Sequence, residues 1–241
     1  MRLAWLDCSA GAAGDMLLAA LLDAGAPREA LFAVREALGL TDDISIGFAE
    51  VPVGAARALR LELAVRDGAP ARQVPAALAL VAASALPAPV RDAATRTIRR
   101  LADVESRIHG LPVERLHLHE LSAADTLLDI VGFHALAAAL GLDAIEASPP
   151  NVGGGTVTFS HGTFAVPPPA TAALLQGVAF LTDAPEMGEL LTPTAAAIIV
   201  TSTRAIGPRP RMAVERVGSA VGTRRFAAPH VLRCHVGTAA G

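Results

Sequence analysis

The sequence predicts an α+β fold, a layered α/β arrangement in which a mixed sheet is covered by helices. Three features carry that prediction. An apolar run, RLAWL at residues 2–6, leads through the glycine-rich DCSAGAAGD into MLLAALLDAG, whose apolar residues follow helical spacing. ISIGFAEVPV and RALRLELAVR alternate apolar and polar residues, most clearly at Leu59, Leu61, Leu63 and Val65. Strand patterns return in the last thirty residues, after a middle region of helical periodicity. The order of the strands is not legible at this level.

In chain order, the opening reads strand, glycine loop, helix, with the helix stopping at Gly25. Pro27 suits a first helical turn, and REALFAVREALG forms a second helix ended by Gly39. The two alternating segments read as strands joined near Gly54. Two helices follow, the second with Val90, Ala94, Ile98, Leu101, Val104 and Ile108 on one face and ending at Gly110. HLHEL then reads as extended, Ser122 as an N-cap, and DTLLDIVGFHALAAALG as a helix ended by Gly141. Beyond it the chain is rich in Gly and Pro, with a short helix after TPT. No polar linker divides the chain, so residues 1–241 read as a single domain with a loop-rich second half from about residue 111.

Composition narrows the chemistry. The chain is 52% hydrophobic, and its net charge of −3 with 3% aromatic residues offers neither a basic field nor stacking platforms for nucleic acid. All 20 basic residues are arginine, which excludes a Schiff-base or P-loop lysine, and there is no tyrosine. Acid–base work therefore falls to His, Asp, Glu or Cys, and anion binding to Arg or backbone N–H groups. The apolar runs are broken by proline before reaching membrane-spanning length, and the N-terminus lacks a secretory apolar region. A soluble, cytoplasmic protein with Cys8 and Cys234 as free thiols is expected.

The densest chemistry lies in RLHLHELSAADTLLDIVG. In an extended HLHEL, His117 and His119 project from one face, while Asp125 and Asp129 stand four apart on one face of the following helix. The two faces could converge on a metal, and histidine with carboxylate suits Ni(II), Zn(II) and other borderline cations. Solvated histidines and a helix-capping acid are the alternative. In DCSAGAAGD, Asp7 and Asp15 flank a strand-to-helix turn whose amides, around Gly11 and Gly14, sit where phosphate binds. Two carboxylates would repel a bare phosphate, so a metal, or a phosphate neutralised by metal or arginine, fits better; a plain glycine turn is the alternative. Cys8 shares that junction as either a soft ligand or a buried thiol. His161 precedes the stiff VPPPAT segment, and Arg224 and Arg225 beside glycines offer an anion site or a solvated turn.

Together, LDCSAGAAGDMLLAALLDAG, RLHLHELSAADTLLDIVG, SPPNVGGGTVTFSHGTFAVPPPATAALLQGV, GELLTPTAAAII and VGTRRFAAPHVLRCHVG resemble the LarC nickel insertion family, in the family's order over nearly the whole chain. The resemblance implies nickel insertion into pyridinium-3,5-bisthiocarboxylic acid mononucleotide, a lyase-class reaction that makes the nickel-pincer cofactor of lactate racemase. It also implies dependence on CTP and on manganese or magnesium. Complete members continue into a CTP-binding C-terminal domain, so this chain resembles the N-terminal part, and a separate CTP-binding chain is one implied partner. Self-association is left open. Locally, His230 stands where the family usually has asparagine, and SAGAAG replaces a more typical FSGISG.

On this reading nickel is held by His117, His119, Asp125 and Asp129, with Asp7, Asp15, Cys8 and His161 on a facing wall. His119, Asp125 or His161 would take the ring proton, and Gly11, Gly14, Arg224 and Arg225 would receive the mononucleotide phosphate. Two other functions compete: a non-catalytic nickel carrier or scaffold for a CTP-binding partner, and a metal-dependent enzyme acting on another phosphorylated small molecule. A purely structural subunit is the blandest option.

Overall fold

The structure, a computed structural model, describes residues 1–70, 72–116, 124–159, 162–184, 186–224 and 230–240. Within them run β1 (Arg2–Asp7), α1 (Gly14–Asp23), α2 (Arg28–Ala37), β2 (Ile44–Val53), β3 (Ala56–Val65), α3 (Val74–Ala83), α4 (Ala88–His109) and α5 (Ala124–Ala139). The second half adds β4 (Ala144–Ala147), β5 (Gly153–Gly154), β6 (Thr156–Phe159), β7 (Gly162–Ala165), α6 (Pro169–Leu174) and β8 (Gly188–Glu189). It closes with α7 (Pro193–Ser202), β9 (Ala205–Ile206), β10 (Met212–Ala220) and β11 (Leu232–Ala239).

The mixed sheet expected from the sequence has the order β2-β3-β10-β11-β1-β4-β9 among the described residues. β1 sits inside it, antiparallel to β11 and parallel to β4, so strands from both ends of the chain share one sheet. The β2–β3 hairpin turns at Gly54 and pairs Ile44 with Val65 through to Val53 with Ala56. β3 then joins the sheet only at its middle, where Leu59 meets Ala220 of β10 in parallel register.

Side-chain parity along β1 decides which face receives the helices. Ala4 and Leu6 enter the main core with Cys234 and Val236 of β11, whereas Leu3, Trp5 and Asp7 take the opposite face. α1 lies on the core face against β3, β10 and β11. Met16 through Leu22 are all buried, which suits a helix apolar on every side. Each of its leucines contributes about 1.5–3 kcal/mol by leaving water. α5 packs on α1, α2 and β3, and α4 covers α5 and α7 in an outer layer. No helix among the described residues is long and apolar enough to cross a membrane.

Two expectations meet the structure differently. The proline-stiffened VPPPAT does not stay extended throughout: Pro169 occupies the first turn of α6, where a missing N–H costs nothing. HLHEL and Ser122 lie outside the described residues.

Candidate active site

The loop after β1 is braced by the loop after β4. Cys8 N donates to Ser148 Oγ at 2.9 Å, Asn151 N donates to Cys8 O at 3.0 Å, and Asn151 Nδ2 donates to Ser9 O at 3.1 Å. The same loop is stitched to the start of α7, because Ala12 N donates to Leu190 O and Thr192 N donates to Ala12 O. These bonds bring the N-terminus of α7 beside that of α1, at the carboxyl end of β1, where open sheets with parallel strands bind ligands. Thr192 caps α7 by accepting from Ala195 N at 3.3 Å.

α5 begins at the same place. A pocket of about 280 Å³ is lined by Ala13, Gly14 and Asp15 of the α1 start, by Asp125, Thr126 and Asp129 of α5, and by Thr192 and Thr194 at the head of α7. Leu63 of β3 and Thr223 complete it. Three helix N-termini therefore face one cavity whose charged lining, among the described residues, is carboxylate.

The three aspartates are not equivalent. Asp15 and Asp125 stand in first turns, where the helix dipole favours the ionised form, and their Oδ1 atoms accept from Met16 N at 2.9 Å and Thr126 N at 2.7 Å. Burial nevertheless pushes Asp15 up to about 6, with the Asp125 charge adding to the shift against the hydrogen bonds that favour ionisation. Asp129, one turn deeper, is only 8% exposed, and its Oδ1 has no hydrogen-bond partner. Burial first, then the charges of Asp15 and Asp125, hold its carboxyl well above the ordinary range.

The structure thus brings together Gly14, Asp15, Asp125 and Asp129. Gly14 makes the arrangement possible, since a β-carbon there would fall 2.1 Å from Asp129 Oδ2. Asp7 stands on the other face of the sheet and accepts from Ser9 N at 3.2 Å and Ser9 Oγ at 2.5 Å, shaping the turn. Cys8 is fully buried, and burial raises its thiol far above the ordinary value, so it is a packed thiol and not the activated one its position allowed. Gly11 adopts φ +97° and packs its Cα side against Leu190 O and the His230 ring, an approach no side chain would permit. Arg224 donates to the carbonyls of Glu189 and Met187 at 3.2 and 3.1 Å. Burial, and then the Arg224 charge, lower His230 to about 4. His117, His119, His161 and Arg225 lie outside the described residues, among which no three His, Cys, Asp or Glu side chains are placed to hold a bare metal ion.

Sequence reasoning did not reach Thr126, Thr194, Thr223 or Leu63. The N-cap threonine of TPT was its one available signal for that wall.

A model of the family described as "Nickel insertion protein" matches residues 4–241. The chain belongs to the nickel insertion protein family. A pyridinium-3,5-bisthiocarboxylic acid mononucleotide nickel insertion protein of Nocardioides sp. is 40% identical over 241 residues, covering 100% of this chain and 61% of the relative. The protein of the same name from Desulfitobacterium hafniense is 39% identical over 238 residues, covering 98% of this chain and 58% of its own length. The chain therefore spans about six-tenths of the length of these family members. No solved structure matches it.

Proposed function

We propose that this chain carries out nickel insertion into pyridinium-3,5-bisthiocarboxylic acid mononucleotide in the cytoplasm, as the part of a CTP-dependent insertase that holds the metal and the precursor ring. The observation that carries the reading is the carboxylate pocket at three helix N-termini, which opens at the start of α5 directly after the segment bearing His117 and His119. The relatives' names supply the substrate.

Nickel is the cargo. His117, His119 and Asp125 offer the nitrogen and oxygen donors that suit it. Metallation of the ring breaks a C–H bond and forms a C–Ni bond with the same electron pair, so one proton must leave. His119, Asp125 or His161 takes it. Arg224 and Arg225, with the amides leading into α1 from Gly11 to Gly14, receive the mononucleotide phosphate. Asp129 and Asp15 line the same pocket as Asp125, and Asp7 bonds to Ser9 in the turn.

The alternative is a non-catalytic nickel carrier or scaffold for a separate CTP-binding partner. One experiment addresses both. The chain is incubated with nickel, the precursor mononucleotide, CTP and manganese, alone and with the unmatched remainder of the Nocardioides relative, and nickel-pincer product is read by mass spectrometry. Product in either condition, lost in the His117→Ala/His119→Ala/Asp125→Ala variant, is expected. Product formed equally by that variant, or in neither condition, overturns the assignment.

A further inference from the structure

We infer that Asn151 is the positioning residue of the phosphate receiver, holding the loop into α1 and the Arg224 guanidinium at one spacing, a role that rests on the phosphate assignment made above. Asn151 belongs to SPPNVGGG, a stretch with no part so far in the chemistry. Its side chain is 5% exposed and bonded at both ends. Asn151 N donates to Cys8 O at 3.0 Å, Nδ2 donates to Ser9 O at 3.1 Å, and Oδ1 accepts from Gly153 N at 3.0 Å.

The amide end of Asn151 governs the loop. Cys8 O also accepts from Gly11 N at 2.8 Å, so Asn151 holds the two carbonyls that precede the turn at Gly11. In a planar trans peptide the C=O and the next N–H point opposite ways. The direction of Ser9 O therefore sets where the amides beyond it are aimed.

The carbonyl end governs the arginine. Gly153 pairs with Glu189 across β5 and β8, and the strands touch without side chains between them. A β-carbon on Gly153 would fall 2.0 Å from Gly188 O, and one on Gly188 would fall 2.9 Å from Arg224 Nη2. Arg224 donates to the carbonyls of Glu189 and Met187, on either side of that contact. One buried side chain thus links both groups assigned to the phosphate.

Only a primary amide fits this place. Ser9 O requires a donor and Gly153 N an acceptor, and asparagine presents one of each in a fixed plane. Aspartate has the same shape but sets an oxygen against Ser9 O. A purely structural brace would weaken every ligand alike, whereas a positioning role is confined to the ligand that carries phosphate.

Calorimetry on the full chain, without nickel or CTP, compares the precursor mononucleotide with its dephosphorylated nucleoside. The wild type should bind the mononucleotide more tightly. Asn151→Asp and Asn151→Ala should each cut that preference by ~10–100-fold, the worth of one misplaced charge-assisted hydrogen bond. Thr97→Val removes a buried hydroxyl bonded to none of these loops and should lose stability while keeping the preference. Thermal melts confirm that the variants are folded, and Asn151→Asp preserves the side-chain shape. An unchanged preference in the folded Asn151 variants overturns the proposal. So does equal weakening of mononucleotide and nucleoside, a matching loss in Thr97→Val, or a wild type that shows no preference. Nickel insertion is scored separately by product, so its failure with the phosphate preference intact strikes that reading and leaves Asn151 in this role.

Discussion

Gly14 and Asp129 occupy what would be a single volume if Gly14 carried a side chain: a β-carbon there would stand 2.1 Å from Asp129 Oδ2, 2.5 Å from Cγ and 2.8 Å from Cβ. Gly14→Ala should therefore lower stability by about 1–3 kcal/mol, the usual cost of overpacking. Shortening the partner removes the two closest contacts and leaves only the 2.8 Å approach of its Cβ, so the double variant Gly14→Ala/Asp129→Ala should be more stable than the sum of the single effects allows. Urea denaturation of the four proteins checks this, and strict additivity would show that the two residues do not compete for the space.

Removing the buried acid charge should help the metal-free fold at neutral pH. A carboxyl whose folded pKa is raised contributes its stability in full below the unfolded value near 4, and loses it as pH rises through the folded pKa. For Asp15, raised to about 6, the loss by pH 7 is on the order of 2–3 kcal/mol. Asp15→Asn should melt higher than the wild type at pH 7 with chelator present, with the advantage shrinking towards pH 4. An advantage independent of pH would contradict the assignment.

His134 runs in the opposite direction. It is buried on α5, its Nε2 lies 3.0 Å from Thr97 Oγ1, and that hydroxyl is 2.7 Å from Thr201 Oγ1. Burial, with the Arg96 charge behind it, lowers its pKa to about 4. The neutral ring contributes stability above pH 6.5 that is lost as pH falls from there through 4, by roughly 3 kcal/mol in all. A nuclear magnetic resonance titration should find the His134 ring neutral at pH 5.5; a midpoint near 6.5 would contradict it.

Both cysteines should be silent in the native state. Cys8 and Cys234 are fully buried, with the Cys234 thiol pushed up to about 12. At pH 8 their alkylation should proceed no faster than the protein opens. Rapid stoichiometric labelling of the folded chain would show that the β1–α1 junction is accessible.

Local grammar made much of this architecture legible. Period-two alternation marked β2 and β3, helical spacing and terminal glycines marked α1, α2, α4 and α5, and the spacing of Asp125 and Asp129 placed both on one helical face. What stayed hidden depends on distant pairings. Nothing local says that Thr192 bonds to Ala12, yet that contact puts α7 into the site. Asp7 and Asp15 flank one loop, a spacing that suggests a shared site. β1 is apolar at both parities, so its sequence does not reveal which face meets the helices, and Asp7 falls on the other one. β4 is four residues long and its alternation too brief to read.

Trp5 has a practical consequence. It is the single tryptophan of the chain, 8% exposed, with its ring 5.4 Å from that of His235 and its back to the face that carries α1. Its emission will therefore follow the integrity of the sheet and the charge on His235 while staying blind to whatever enters the aspartate pocket. Intrinsic fluorescence is then a clean optical gauge of unfolding in this protein, and ligand titrations need a dye or a paramagnetic ion of their own.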